Sequence, residues 1–320
     1  MKRVLANDGI DSAGKQMLEA AGIFVDTQKA TQAELIRKIN EDKFDVLLVR
    51  SATKVRQDVI EACPGLKLIG RAGVGLDNID VKFAESKGVK VVNTPAASSQ
   101  SVAELVFAHL FAGVRFLHRS NHEMRTMGHT DFATLKKDYS TGTELKGKTI
   151  GIIGFGRIGQ ATAKIAVGCG MKVIAFDPYI ASAEITLELP MIADKISTTI
   201  STISLDQLLA ESDFISLHVP GLINGKALIG HEEIAKMKKG ASIVNAARGG
   251  VVEENAILDA LNTGQLKFVA LDVFNNEPTP DKALLVHPDI SLSPHIGAAT
   301  EEAQERIGVE MARQIIDFFG

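Results

Sequence analysis

Lys148-Thr-Ile-Gly-Ile-Ile-Gly154-Phe-Gly156-Arg-Ile-Gly159 reads as a short buried strand that runs without a linker into the first turn of a helix. The three glycines have separable tasks. Gly154 permits a tight turn, Gly156 lets the backbone approach a pyrophosphate, and Gly159 lets the helix pack close to the sheet. The free N–H groups and positive dipole end of the helix then face the phosphates. The next strand pattern, Lys172–Phe176, ends at Asp177, 18 positions after Gly159. A carboxylate there can accept hydrogen bonds from both hydroxyls of an adenosine ribose and would repel a 2′-phosphate. The implied cofactor is NAD rather than NADP.

Outward from this motif the same alternation continues. Strand patterns at Ile150–Ile153, Lys172–Phe176, Phe214–Val219, Ser242–Ala246, Phe268–Val273 and Ile290–Ser293 suit a doubly wound dinucleotide-binding (Rossmann) domain. Towards the N-terminus, Arg3–Ala6, Ile23–Asp26, Asp45–Arg50, Leu66–Gly70 and Val89–Val92 predict a second parallel unit of about five strands, with helices at Ala13–Ala21 and Gln32–Asn40 between them. The fold class is therefore α/β with two doubly wound parallel sheets. Ser101-Val-Ala-Glu104 fits a capping box ahead of the apolar run Leu105–Leu117, which predicts a long connecting helix. The last helix, Glu301–Phe319, can continue the second unit or return to the first. The stretch Ala181–Thr202 is weakly patterned and receives no role. Gly73-Val74-Gly75-Leu-Asp-Asn78 begins like the cofactor motif but lacks its third glycine, and it predicts a loop.

Composition narrows the function class. The chain has 320 residues, 45% of them hydrophobic and 23% charged, enough for two ordinary cores. A formal net charge of -4 leaves no footprint for nucleic acid. No apolar run is long enough for a membrane span, and Asn7 and Asp8 interrupt any signal-like start. Cys63 and Cys169 are too few for a disulfide framework or a zinc site, so no metal is expected and a reducing, cytoplasmic setting is.

Three further residues lie just beyond strand patterns of the second unit: Arg248 in Asn245-Ala-Ala-Arg-Gly-Gly, Glu277 in Asp272-Val-Phe-Asn-Asn-Glu-Pro, and His295 in Ser293-Pro-His-Ile-Gly297. Ligands of doubly wound sheets bind outside the carboxyl ends of the strands, so the three can converge. Together they would fill the roles that oxidation of a 2-hydroxy acid needs. Histidine can take the hydroxyl proton as hydride leaves Cα. A carboxylate fixes the imidazole tautomer and favours its charged form. Arginine grips the substrate carboxylate in a planar, bidentate way.

With N-x-A-R-G-G, L-D-V-F-x-x-E-P and P-H-I-G-A in these places, the chain resembles the D-isomer-specific 2-hydroxyacid dehydrogenases along essentially its whole length. The resemblance implies His295 as acid/base, Glu277 as its partner and Arg248 as substrate ligand. It implies cofactor contacts at Arg157, Ile158, Ala246, Asp272 and Gly297, and along His218-Val219-Pro220. It also implies that the last helix returns to the first domain, giving a flavodoxin-like substrate domain at 1–98 and 297–320 and an NAD domain at 99–296. Members are usually homodimers.

Leu48-Val-Arg50-Ser51-Ala-Thr-Lys-Val55, Gly70-Arg71-Ala-Gly73-Val74-Gly75 and Gly142-Thr-Glu-Leu145 resemble the members that oxidise 3-phosphoglycerate at the entry to serine synthesis. Arg50 and Arg71 each close a strand pattern, and a phosphate near −2 charge would want two such cations, with Ser51 and the loop Gly73–Gly75 beside them. Val74 and Val219 stand where many of those members carry threonine, which removes two hydroxyl contacts. Those members often continue into serine-sensing domains, so the end at Gly320 leads to an expectation of no serine inhibition through one. The alternatives are a glyoxylate or hydroxypyruvate reductase with the same trio, and a non-enzymatic NAD-sensing corepressor-like protein.

Overall fold

The computed structural model describes residues 1–187, 195–221 and 225–320, and the chain divides into two compact units. Unit 1 holds Met1–Ser101 and Ala298–Gly320; unit 2 holds Val102–Gly297.

Unit 1 begins with a strict alternation: β1 Arg3–Ala6, α1 Ser12–Ala20, β2 Phe24–Asp26, α2 Leu35–Glu41, β3 Val46–Val49, α3 Gln57–Ala62, β4 Leu68–Arg71, α4 Val81–Ser86 and β5 Lys90–Asn93. The five strands are parallel, in the order β2-β1-β3-β4-β5. Val46, Leu47, Leu48 and Val49 are all buried, because crossover helices cover both faces of such a sheet. The strand expected at Asp45–Arg50 stops at Val49, since the Arg50 N–H leaves the ladder to donate to the Asp8 carboxylate at 2.8 Å.

α5, Ser99–Val114, carries the chain from unit 1 into unit 2. It corrects the capping-box reading: Ser101 is the third residue of the helix rather than its cap, and it is buried. The S-x-x-E spacing recurs inside helices, and here the helix starts two residues earlier. The helix also ends before Leu117. Phe116 takes a left-handed φ of 55°, and α6, Leu117–Met127, leaves at 58° to α5. α7, Phe132–Asp138, follows.

The rest of unit 2 is built from β6 Thr149–Ile153, α8 Arg157–Gly168, β7 Lys172–Phe176, β8 Ser182–Leu187, β9 Ile196–Ser201, α9 Leu205–Glu211, β10 Phe214–Leu217, α10 His231–Lys236, β11 Ala241–Asn245, α11 Glu254–Asn262, β12 Leu266–Leu271, α12 Lys282–Val286 and β13 Ile290–Leu292. Six of these strands form one parallel sheet in the order β13-β12-β11-β10-β6-β7. Being parallel, all six present their carboxyl ends at one edge. The strand order reverses at β6, between β7 and β10, which is where doubly wound sheets open a crevice.

The weakly patterned stretch 181–202 contains an antiparallel pair, β8 with β9, tied to the sheet edge by a parallel bridge between Ala175 and Thr202; its residues 188–194 lie outside those described. Among its described residues only Ile185 is buried and the Ser and Thr side chains are mostly exposed; Ala183, Ile185 and Leu187 of β8 do alternate with polar residues, a short period that the sequence reading passed over.

α13, Glu301–Phe319, is capped by the Thr300 hydroxyl, which accepts from the Ala303 N–H at 3.2 Å. It belongs to unit 1, where Met311, Ala312 and Ile315 pack with Leu18, Val4 and Leu48. A Cβ on Gly14 of α1 would lie 2.4 Å from the Gly308 carbonyl oxygen, so only a glycine pair allows these two helices to approach so closely. Among the described residues no single helix is long and apolar enough to cross a membrane.

Candidate active site

The Gly-rich turn occupies the carboxyl end of β6. Gly154 has φ 91°, and a Cβ there would lie 2.4 Å from the His218 carbonyl oxygen. A Cβ on Gly159 would lie 2.2 Å from the Gly154 carbonyl oxygen, so the first turn of α8 sits directly on the loop. A Cβ on Gly156, by contrast, would meet no atom within 4 Å. The turn is thus closed on its inner side and open at Gly156, where no side chain caps the helix. A pyrophosphate fits that opening, beside the N-terminal turn that Arg157 and Ile158 begin.

Asp177, beyond β7, locks the same turn. One carboxylate oxygen accepts from the Phe155 N–H at 2.8 Å; the other accepts from Tyr179 N–H at 2.8 Å and Ile180 N–H at 3.1 Å. A carboxylate offers about four acceptor positions, which leaves room for a ribose hydroxyl. These residues fit NAD, which when bound would accept a hydride at its nicotinamide. His218 departs from a simple lining role. Its Nε2 lies 2.9 Å from the Ser216 hydroxyl and 3.2 Å from the Thr162 hydroxyl, and burial pushes its pKa down to about 3. The ring braces β10 against α8 from inside, while Val219 is half-buried and Pro220 exposed.

The trio occupies the ends of β11, β12 and β13. Asn245, buried at the end of β11, accepts from the Ala247 N–H at 3.1 Å and donates to the Arg248 carbonyl at 2.9 Å, folding Ala246–Arg248 into a tight turn. The Arg248 guanidinium donates to the Ala247 carbonyl at 2.7 Å. A Cβ on Gly249 would lie 2.0 Å from the Phe274 carbonyl oxygen, so this turn abuts the loop that carries Glu277. Glu277 accepts from the Phe274 N–H at 3.0 Å with Oε1, and its Oε2 lies 2.8 Å from His295 Nδ1. The two side chains are 36% and 41% exposed, open enough for the Nε2 side of the ring to meet a ligand. A pocket of about 390 Å³ runs beside them, lined chiefly by Phe274, Pro278, Leu285, Leu292 and Pro294.

His295 itself has φ 55°. Asp272, 1% exposed, holds the backbone beyond it: Oδ1 accepts from the Ile296 N–H at 2.9 Å and the Ser293 hydroxyl at 2.5 Å, and Oδ2 accepts from the Gly297 N–H at 2.9 Å. Asp272 and Gly297, read from sequence as cofactor contacts, are in this geometry supports of the histidine loop. The sequence reading missed Asn245 and Asp272 in these structural tasks. A buried polar residue at a strand end was the available signal.

In unit 1, Arg50 and Arg71 lie at the carboxyl ends of adjacent strands, with Val49 paired to Arg71. Asp8 fixes the turn after β3, accepting from the Arg50 and Thr53 N–H groups at 2.8 and 3.1 Å and from the Thr53 hydroxyl at 2.8 Å. Arg50 lines a pocket of about 240 Å³ with Asp8, Gly9, Ala72 and Gln304. Arg71 donates to the Ala72 carbonyl at 3.1 Å and lies over Gly73, whose φ of 143° is one that L side chains rarely adopt. Asn93 donates to the Val74 carbonyl at 2.6 Å and so fixes the loop that runs on to Gly75. Ser51 is exposed. No cluster of three or more His, Cys, Asp or Glu side chains able to hold a metal occurs among the described residues.

Residues 107–297 match the family model "D-isomer specific 2-hydroxyacid dehydrogenase, NAD binding domain". The chain is 44% identical to a hydroxypyruvate reductase of Thermotoga maritima, across 99% of this chain and 98% of that protein. It is 42% identical to a D-3-phosphoglycerate dehydrogenase of Methanocaldococcus jannaschii, across 98% of this chain but only 57% of that protein's length. An NAD-dependent formate dehydrogenase structure from Staphylococcus aureus, in complex with NAD, superposes with a TM-score of 0.78 at 27% identity, covering 100% of this chain and 96% of that one. The chain belongs to the D-isomer-specific 2-hydroxyacid dehydrogenases. It is an NAD-dependent oxidoreductase, and its likeness extends both to hydroxypyruvate reductases and to D-3-phosphoglycerate dehydrogenases.

Proposed function

We propose that the chain transfers hydride between NAD and a three-carbon D-2-hydroxy acid, with 3-phospho-D-glycerate and 3-phosphohydroxypyruvate as the pair it serves best, at the entry to serine synthesis. The supporting observation is the placement of Arg50 and Arg71 at the ends of adjacent strands, where two cations can share one phosphate. In the oxidation, His295 Nε2 would take the hydroxyl proton as the C–O bond becomes a carbonyl, and NAD, when bound, would supply the acceptor for the hydride that leaves Cα. Glu277 accepts from His295 Nδ1–H, which leaves Nε2 as the base, and its charge stabilises the imidazolium that forms. Arg248 holds the substrate carboxylate and polarises the reacting oxygen.

The likeness to a hydroxypyruvate reductase over nearly the whole of both chains favours a second reading, in which the acid is unphosphorylated and the arginines are structural. NADH oxidation with 3-phosphohydroxypyruvate, hydroxypyruvate and glyoxylate separates the two. A kcat/KM at least tenfold higher for the phosphorylated acid supports the first reading, and the reverse order supports the second. We also infer a homodimer, supported by exposed Phe111, Leu117, Met124 and Phe132 on α5, α6 and α7, and a cytoplasmic setting, which the free thiols Cys63 and Cys169 suit. Sedimentation at micromolar concentration checks the dimer; a monomer refutes it.

A further inference from the structure

Behind the histidine loop lies a chain of buried and half-buried polar groups that the reaction as described leaves unused. His109, in the middle of α5, is 6% exposed and surrounded by the apolar residues Val106, Phe107 and Leu110. Its Nδ1 lies 2.8 Å from the Ser291 hydroxyl and its Nε2 lies 2.9 Å from the Ser293 hydroxyl. Ser293 in turn donates to Asp272, and Asp272 accepts from the Ile296 and Gly297 N–H groups. All of these residues belong to unit 2.

The direction of every bond in the chain can be deduced. An ionised carboxylate only accepts, so Ser293 spends its proton on Asp272. Its oxygen must then accept from His109, which requires the proton on Nε2. Neutral His109 therefore has a bare Nδ1, which accepts from the Ser291 hydroxyl. Burial lowers the pKa of His109, in keeping with this neutral ring. The run is Ser291 O–H to His109 Nδ1, His109 Nε2–H to Ser293 Oγ, and Ser293 O–H to Asp272. A polar side chain in the apolar face of a core helix is costly unless its bonds are made, and here both ring nitrogens make them.

We propose that His109 is a positioning residue for the reaction, orienting Ser293 and through it Asp272, so that the backbone of Ile296 and Gly297 holds His295 in its left-handed, Glu277-facing conformation. The proposal rests on the reading of His295 as acid/base. A leucine at position 109 would keep most of the packing and remove both bonds. A glutamine keeps a donor and an acceptor at comparable reach.

The test compares His109→Leu, His109→Gln, Ser293→Ala and the His109→Leu/Ser293→Ala double variant. Three quantities are read in the full chain: kcat on the preferred keto acid, the Kd for NADH, and hydrogen exchange at Ile296 and Gly297. For His109→Leu we expect kcat to fall about tenfold, with the NADH Kd within twofold of the parent and exchange at the two amides about tenfold faster. Glutamine should recover kcat to within about threefold. The double variant should lose little more than either single, because both cut one chain. Unchanged exchange in His109→Leu, equal losses with Leu and Gln, or independent losses in the double variant would each overturn the proposal. Should His109→Leu fail to fold, Ser293→Ala must show the same exchange signature or the proposal fails. A parent enzyme inactive on every keto acid would refute the proposed function and the positioning role of His109 with it; an active parent whose variants show unchanged exchange would overturn this proposal alone.

Discussion

Replacing Gly159 by alanine tests whether the cofactor turn works as the geometry demands. The added Cβ lies 2.2 Å from the Gly154 carbonyl oxygen and 3.1 Å from the Ile152 side chain. Ordinary contacts between heavy atoms fall at about 3.5–4.0 Å, so the overlap with Gly154 is roughly 1.3 Å. The obstructing atom is backbone, and no rotamer change removes it. Either α8 or the turn must move by about 1 Å. Forcing a methyl into a packed contact costs about 1–3 kcal/mol, while alanine in place of glycine inside a helix returns about 1 kcal/mol, so the net loss of stability is about 0–2 kcal/mol. The displaced turn no longer presents its N–H groups at the distance a pyrophosphate requires. A loss of about 1–3 kcal/mol in binding raises the NAD Kd roughly 5- to 150-fold. Gly156→Ala is the comparison, because its Cβ meets no atom within 4 Å and costs the free protein nothing by clash, yet it occupies the opening where the phosphates approach. Calorimetric titration with NADH and urea unfolding read the two effects separately. Gly159→Ala should weaken binding and lower the urea midpoint; Gly156→Ala should weaken binding alone. An NADH Kd within twofold of the parent in both variants would refute the assignment of this turn to the pyrophosphate.

Three other substitutions probe the remaining parts. Glu277→Gln removes the charge opposite His295 while keeping one acceptor; a charge-assisted bond is worth about 1.5–3 kcal/mol, its open position favours the lower end, and kcat/KM for keto-acid reduction should fall about tenfold with the NADH Kd unchanged. Arg50→Ala should raise the KM for 3-phosphohydroxypyruvate about 10- to 100-fold and that for NADH less than twofold, a split that steady-state kinetics with each substrate varied in turn will show. His218, held at about 3 in the folded chain, gives a signed pH effect. Its folded pKa is depressed below the unfolded value near 6.5, so the unfolded chain takes up the proton first as pH falls. This contribution to stability is intact above pH 6.5 and declines from there towards pH 3, by about 2 kcal/mol between pH 7 and 5. Urea unfolding at the two pH values should show that extra loss in the parent and not in His218→Gln.

Much of this arrangement is legible in the residue order because parallel α/β sheets have strong local signatures. Buried strands read as unbroken runs of Val, Ile and Leu, and the chemistry sits at their carboxyl ends, so Gly154, Asp177, Arg248, Glu277 and His295 could each be placed from the nearest strand. The unread parts are those whose physics is not local. The β8–β9 pair has one buried isoleucine; β8 alternates only through Ala183, Ile185 and Leu187, and β9, Ile-Ser-Thr-Thr-Ile-Ser, lacks the apolar period that marks a strand. The bend after α5 depends on a left-handed Phe116, a conformation that the residue type does not announce. Ser101 satisfies a capping pattern by spacing alone while the helix begins ahead of it. His109 is invisible in another way: its partners Ser291 and Ser293 lie 182 and 184 positions away, and nothing in an apolar helix predicts which polar groups will meet it.

The same contrast explains why His295 can occupy its conformation at all. A left-handed φ costs a non-glycine residue roughly 1–2 kcal/mol, and the cost must be met by the surroundings. The two residues after it donate to one buried carboxylate, and hydrogen bonds to a charged group are worth about 1.5–3 kcal/mol each. On the other side, Glu277 holds Nδ1, and Glu277 is itself fixed by the Phe274 N–H. The ring is thereby held from two directions, by Asp272 just after β12 through the backbone and by Glu277 in the loop that follows it. A buried aspartate at the end of a strand thus makes an unfavourable backbone conformation the stable one. Asp272→Asn should then relax the loop even though its shape is unchanged, because an amide can accept at only one of the two atoms where the carboxylate accepts at both.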